Sequence, residues 1–361
     1  MSNTIAKAVD ADGHIMESLA EMAEYAHPAV RELCLNPQNF FRTPFPTLDG
    51  VHWPNPKTYR EEFGIMGDQE VASGNRKGGA EDWLEFLEKA DVEYSIMYTS
   101  EGLTVGALRS VEYSIAVCQA YNDYVGDRYR NVSDKLRPMA LIPMQSPKDA
   151  VVELRRAVND LRLPGAMLPS SGLPLPLGHE YYFPVYEEAA RLGCVLGVHG
   201  GPNGGMGLDA LDSLAASHVI HHPMGLMIAC ASMVHSGIFE QQPDLKVTYT
   251  EGGSAWCTIF LDRMARNAEL DADMLSFDKS FEDYLTGGQI LIGCEGEEPT
   301  LEHLIQRVGI EPFAFSTDYP HEVDFAAVRK QIRETKELTF MNDQQKSAFL
   351  GDNARRFFNL S

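Results

Sequence analysis

Eight short apolar or β-prone runs recur along the chain, at residues 8–12, 94–99, 136–142, 165–168, 194–199, 245–250, 289–292 and 313–316. Short continuous apolar runs suit parallel strands covered on both faces, although periodicity alone leaves buried helix as the alternative. Between the runs lie amphipathic patterns with readable ends. Ser146, Pro147 and Asp149 fit an N-cap, a proline at the first helical position and an acid at the third, and Ala150, Leu154, Ala157 and Leu161 then form one helical stripe. Tyr182 to Leu192 repeats the idea, with Val185, Ala189 and Leu192 on one face and Gly193 as the stop. Strands alternating with helices predict an α/β protein, and a count near eight predicts a closed (β/α)8 TIM barrel over an open sheet. The 361 residues then form a single barrel domain.

Residues 36–79 break the rhythm. They carry Pro37, Pro44, Pro46, Pro54 and Pro56 together with Phe40, Phe41, Phe45, Trp53, Tyr59 and Phe63. This much apolar surface argues against a disordered linker. The segment reads as an insertion after the first strand that caps the barrel mouth. Trp53 and Phe45 are candidates to line a pocket there, with core packing the plainer account.

A formal net charge of -22 disfavours nucleic acid or an anionic membrane as a partner. Six cysteines without a Cys-x-x-Cys pair argue against a thiolate zinc site and against a disulfide scaffold. No basic segment followed by an apolar one marks a signal peptide, and the most apolar stretch, Met224 to Val234, is too short to span a bilayer. A cytoplasmic protein is expected.

Asp12 and His14 stand two apart in the first run. Side chains alternate along a strand, so both face the same way and offer an oxygen and a nitrogen to one cation. His199 ends the fifth run, before a glycine-rich loop, and Asp318 lies just past the last. Barrel enzymes keep their chemistry at the carboxyl ends of strands. Two imidazoles and two carboxylates make a mixed set that suits one divalent ion, zinc or manganese. A lone histidine at a strand end is more often a hydrogen-bonded core or loop residue, and it is the recurrence at several strand ends that favours a site.

In this order along the chain, the motifs resemble the amidohydrolase superfamily, in its branch related to aminocarboxymuconate semialdehyde decarboxylase. They are Asp12-x-His14, Gly197-Val198-His199-Gly200-Gly201, Pro243-Asp244-Leu245-Lys246-Val247, Glu251-Gly252-Gly253-Ser254-Ala255-Trp256, Phe315-Ser316-Thr317-Asp318-Tyr319-Pro320-His321 and Asp352-Asn353-Ala354-Arg355-Arg356. The resemblance implies a metal held by Asp12, His14, His199 and Asp318. The lysine that bridges two metals in other branches is absent from Pro164 to Pro169, so a single ion is implied. Glu251 stands where relatives often carry a histidine, and it is either the proton-transfer group or a structural carboxylate holding a loop.

Further candidates are softer. His222 could reach the pocket as a catalytic group, Arg263 could clamp a substrate carboxylate, and His321 could support Asp318 or touch substrate. An ion pair with Asp262 is the plainer account of Arg263. His179 and His218 are expected at the surface or in packing. The expected function is decarboxylation of a small aromatic or unsaturated carboxylic acid, with Asp318 or Glu251 supplying the proton. The alternative is metal-dependent hydrolysis of an amide, ester or carbon–carbon bond. A homo-oligomer, dimer or higher, is expected.

Overall fold

The computed structural model describes residues 5–35, 44–45, 78–202, 206–208, 211, 214–270, 279–321 and 323–360. The first apolar run becomes β1 (Ala8–Ile15), and all of its residues are buried, as the continuous pattern requires. β2 (Val92–Thr99) lies parallel to it, with His14 opposite Tyr98 and Ile15 opposite Thr99. The register slips between Asp10 and Gly13. A side chain at Gly13 would overlap Ser95 Oγ and the Trp83 ring, so only glycine lets β1 approach this closely.

β3 runs in two pieces, Leu136–Pro138 and Ala140–Leu141. The sequence pattern reads as one strand through Ile142, but Pro138 has no amide hydrogen to give a ladder. The first piece pairs with β2 and the second with β4 (Gly165–Pro169), while the Met139 amide donates to the Met97 carbonyl at 2.8 Å and bridges the break. From there the order is sequential through β5 (Val195–His199), β6 (Lys246–Tyr249), β7 (Ile290–Cys294) and β8 (Phe313–Phe315), all parallel. The ring closes beyond the end of β8. The Asp318 amide donates to the Asp12 carbonyl and the His14 amide to the Tyr319 carbonyl, each at 2.7 Å.

A helix follows each strand: α1 (Ala80–Ala90), α2 (Val111–Val125), α3 (Pro147–Asn159), α4 (Phe183–Leu192), α5 (Leu214–His235), α6 (Trp256–Leu270), α7 (Leu301–Val308) and α8 (Phe325–Glu337). The predicted TIM barrel is therefore observed. Ser146 does precede α3, but its hydroxyl donates to Asp149 Oδ2 at 2.6 Å and does not cap a backbone amide. Gly193 ends α4 in the left-handed conformation (φ 66°), as expected. Trp83 of α1 is fully buried and donates from Nε1 to the His14 carbonyl at 3.2 Å. Phe86 stacks on Tyr319 with centroids 3.6 Å apart, so α1 holds the loop that carries Asp318.

Most of the insertion, Trp53 included, lies outside the described residues. Phe45 is within them and is buried in the main core, while the neighbouring Pro44 carbonyl accepts the Tyr113 hydroxyl of α2 at 2.8 Å. Core packing is thus the role observed for Phe45. Among the described residues, no helix is long and apolar enough to cross a membrane.

Candidate metal centre

His14 near the end of β1, His199 at the end of β5, Glu251 just past β6 and Asp318 just past β8 converge at one end of the barrel. Asp12, His14 and His199 are buried and present ligand atoms within 4.8 Å of one another. His14, Glu251, Asp318 and His321 form an overlapping cluster with the same spacing. The four residues expected as ligands are therefore together.

The tautomers follow from the outer contacts. His14 Nδ1 lies 3.1 Å from the Thr99 carbonyl, which can only accept, so Nδ1 carries the hydrogen and Nε2 presents its lone pair. His199 Nδ1 lies 3.3 Å from the Gly200 carbonyl and 3.1 Å from Glu251 Oε2, which turns its Nε2 inward as well. The two Nε2 atoms stand 3.2 Å apart. Asp12 Oδ1 is 3.4 Å from His199 Nε2 and has no hydrogen-bond partner, although it is buried. Asp318 Oδ1 is 3.3 Å from His14 Nε2.

Acceptors crowded in this way repel one another unless a positive charge lies among them. Burial pushes the Asp12 carboxyl well above the usual range, and Glu251 and Asp318 push it the same way. Burial and the neighbouring imidazoles hold His14 well below its usual value, hence neutral and fit to ligate. A divalent cation satisfies the orphaned oxygen, both inward lone pairs and the excess of acids together. The residues present fit one.

Glu251 stands in the left-handed backbone region (φ 65°), and so does Asp318 (φ 57°). Side chains other than glycine seldom adopt it, and when they do they cluster at functional sites. Glu251 Oε2 lies 3.1 Å from His222 Nδ1 as well as from His199 Nδ1. A side chain on Gly200 would occupy the space where His222 and Glu251 meet. Burial raises the Glu251 carboxyl toward neutrality, while burial, with His218 and His199, lowers His222 to about 3. Glu251 and His222 thus form a pair of buried titratable groups, shifted in opposite directions, beside the candidate cation site.

The His321 ring lies tilted by 33° against His14, with centroids 4.0 Å apart. Its Nδ1 meets Asp318 Oδ1 at 2.8 Å and its Nε2 meets Ser100 Oγ at 2.9 Å. Burial opposes its charge, but Asp318, Glu251 and Asp12 outweigh burial and raise it to about 9. His218 is half-buried with its ring 5.4 Å from His222, nearer the site than a surface role implies. His179 is exposed and accepts the Tyr181 amide. Arg263 is exposed on α6, and its neighbour Asp262 pairs with Arg307 at 2.5 Å rather than with Arg263.

Sequence reasoning missed Asp10. Its Oδ1 accepts the Asp12 amide at 3.1 Å and the Thr317 amide at 2.9 Å, and its Oδ2 accepts the Ser95 hydroxyl at 2.7 Å. One buried carboxylate thus ties β1, β2 and the Asp318 loop together. The alternation Asp10, Asp12, His14 was the available signal.

A family model described as amidohydrolase matches residues 9–360. The chain is 24% identical over 278 residues to 2-amino-3-carboxymuconate-6-semialdehyde decarboxylase of Dictyostelium discoideum, covering 77% of this chain and 76% of that one. Its fold matches a 5-carboxyvanillate decarboxylase from Sphingomonas paucimobilis at TM-score 0.74 and 18% identity, over 98% of this chain and 99% of the other. It also matches a dihydroxybenzoic acid decarboxylase from Polaromonas sp. JS666, with bound manganese and the inhibitor 2-nitroresorcinol, at TM-score 0.68 and 18% identity over 99% and 98% of the two chains. With a match that spans nearly its whole length, the chain belongs to the amidohydrolase family.

Proposed function

We propose that this chain is a metal-dependent decarboxylase of a small aromatic or unsaturated carboxylic acid. The observation that carries the reading is the inward-facing pair of imidazole Nε2 atoms 3.2 Å apart, beside the partnerless Asp12 Oδ1 and within reach of the Glu251–His222 pair. Asp12, His14, His199 and Asp318 would hold one divalent ion. Bound there, the ion would supply positive charge that chelates the substrate carboxylate and an adjacent oxygen. Two carboxylates in the set favour manganese over zinc, and the manganese in the Polaromonas relative supports that choice. A single ion is supported by the apolar β4, Gly165–Pro169, which offers no lysine.

The chain's own residues then manage a proton. Decarboxylation breaks the bond between the carboxyl group and its carbon, and that carbon must gain a proton as carbon dioxide leaves. Glu251 is the donor, with His222 behind it to return the proton. Asp318 is the second candidate, oriented by His321. Arg263 and Trp53 remain proposed substrate contacts, as does His321, and residues 36–79 a proposed cap. The names of the relatives support an aromatic or unsaturated acid as substrate.

Hydrolysis has one observation in its favour. The Asp318–His321 contact of 2.8 Å is suited to taking a proton from water. The test is a panel of hydroxybenzoic and unsaturated dicarboxylic acids with manganese present, read for carbon dioxide and for hydrolytic products. Carbon dioxide release is the expected result, and hydrolytic products without it would overturn the decarboxylase reading. For assembly, we place a second copy of the chain on the uncharged α5, where Val219, Ile220 and Ile228 are exposed. Light scattering that finds a monomer at all concentrations would sink this. A cytoplasmic setting is supported by six buried, unpaired cysteines.

A further inference from the structure

Just past β1, the Glu17 side chain is fully buried and faces the end of β2. Its carboxylate accepts the Thr99 hydroxyl, the Ser100 amide at 3.2 Å to each oxygen, and the Glu101 amide at 3.0 Å. Those residues carry the contacts that orient the metal centre from outside. The Thr99 carbonyl accepts His14 Nδ1 at 3.1 Å, and Ser100 Oγ meets His321 Nε2 at 2.9 Å. His321 in turn meets Asp318 at 2.8 Å. The Thr99 hydroxyl also accepts the Gly102 amide at 2.7 Å, which knits the segment into one turn.

We propose that Glu17 is a positioning residue of the metal centre: by clamping Thr99, Ser100 and Glu101 it sets the rotation of His14 and the seat of His321 against Asp318. The proposal rests on the reading of Asp12, His14, His199 and Asp318 as metal ligands. Donors from Thr99, Ser100 and Glu101 converge on this one buried carboxyl group, so the clamp resists displacement. A carbonyl fixed in this way keeps the His14 hydrogen on Nδ1 and its lone pair on the cation. Groups that orient ligating histidines are typically worth about 10- to 100-fold in metal affinity.

The competing account is that Glu17 only stabilises the 3-10 turn Glu101–Ala107, whose first amides it accepts. Gln145 separates the two. It donates to the Val105 and Leu108 carbonyls at 2.7 and 3.0 Å, at the far end of the same turn and away from Thr99 and Ser100.

The full chain would be stripped of metal, then titrated with Mn2+ by electron paramagnetic resonance and with Co2+ by visible absorption, alongside thermal melts of the metal-free protein. Glu17→Gln is expected to weaken Mn2+ binding about 10- to 100-fold and to shift the Co2+ spectrum. Gln145→Ala is expected to melt earlier yet bind Mn2+ like the parent. If Glu17→Gln does not fold, Thr99→Val probes the same clamp with the carboxylate in place and should weaken Mn2+ binding about 10-fold. Parental binding by Glu17→Gln, or by Thr99→Val in its place, overturns the proposal alone. So does a loss of affinity in Gln145→Ala equal to that in Glu17→Gln. A parent chain that takes up no Mn2+ overturns the metal-centre reading and this proposal with it.

Discussion

Glu251 and Asp318 are held at φ 65° and φ 57°, conformations that typically cost about 1–3 kcal/mol each for such residues. The surrounding structure must supply that energy, and Asp10 is one source through the Asp12 and Thr317 amides it accepts. Asp10→Asn turns one acceptor into a donor facing these donors and should lower stability by about 1–3 kcal/mol, read from the shift in the urea midpoint. Glu251→Gln keeps shape and leaves metal content near parental, while removing a transferable proton should lower turnover by about 10²–10⁴-fold. Parental turnover would reassign Glu251 to a structural role. His199→Ala should lose metal yet keep its far-ultraviolet dichroism, because the ligand sits at the strand end and not in the packed layers. Asp12, His14, His199 and Asp318 were legible as a set because each closes or follows an apolar run. Asp10 and Glu17 were not, since a carboxylate that binds backbone amides looks in sequence like any other acid.

At the scale of elements, all eight barrel strands were legible, because burial on both faces leaves a continuous apolar run. The break at Met139 was not, since it depends on which neighbour each half of β3 pairs with. Helix contacts across the outer ring are equally hidden. Glu188 of α4 accepts two hydrogen bonds from Arg155 of α3, at 2.7 and 2.9 Å, and two from Arg191, at 2.5 and 3.0 Å. The bonds from Arg191 and Arg155 hold its carboxyl down at about 2, against an ordinary value of 4.5. A depressed carboxylate contributes stability that is fully present above its unfolded value and is lost as the pH falls. The α3–α4 link should therefore weaken as the pH drops from 4.5 to about 2. Urea midpoints of the parent and Glu188→Gln should differ above pH 4.5 and converge toward pH 2, by less at high salt because both arginines are half or more exposed. Curves that stay parallel throughout would remove the pair from the stability of the ring.

For the whole molecule, a cation that binds only the folded chain stabilises it by mass action, by about 2.7 kcal/mol at 100 times its dissociation constant. Mn2+ should raise the melting temperature and a chelator should return it to the metal-free value; a melting temperature indifferent to both would contradict a built site. The sequence by itself determined the barrel, the order of its strands and the residue types at their carboxyl ends. Local periodicity and chain connectivity leave little freedom in these. Only the tertiary structure decided that His14 and His199 face each other, that Glu251 lies between His199 and His222, and that Thr99 and Ser100 brace the centre under Glu17. These contacts join residues far apart in the chain, and their distances depend on ring closure and on rotamers selected by packing, neither of which leaves a local pattern.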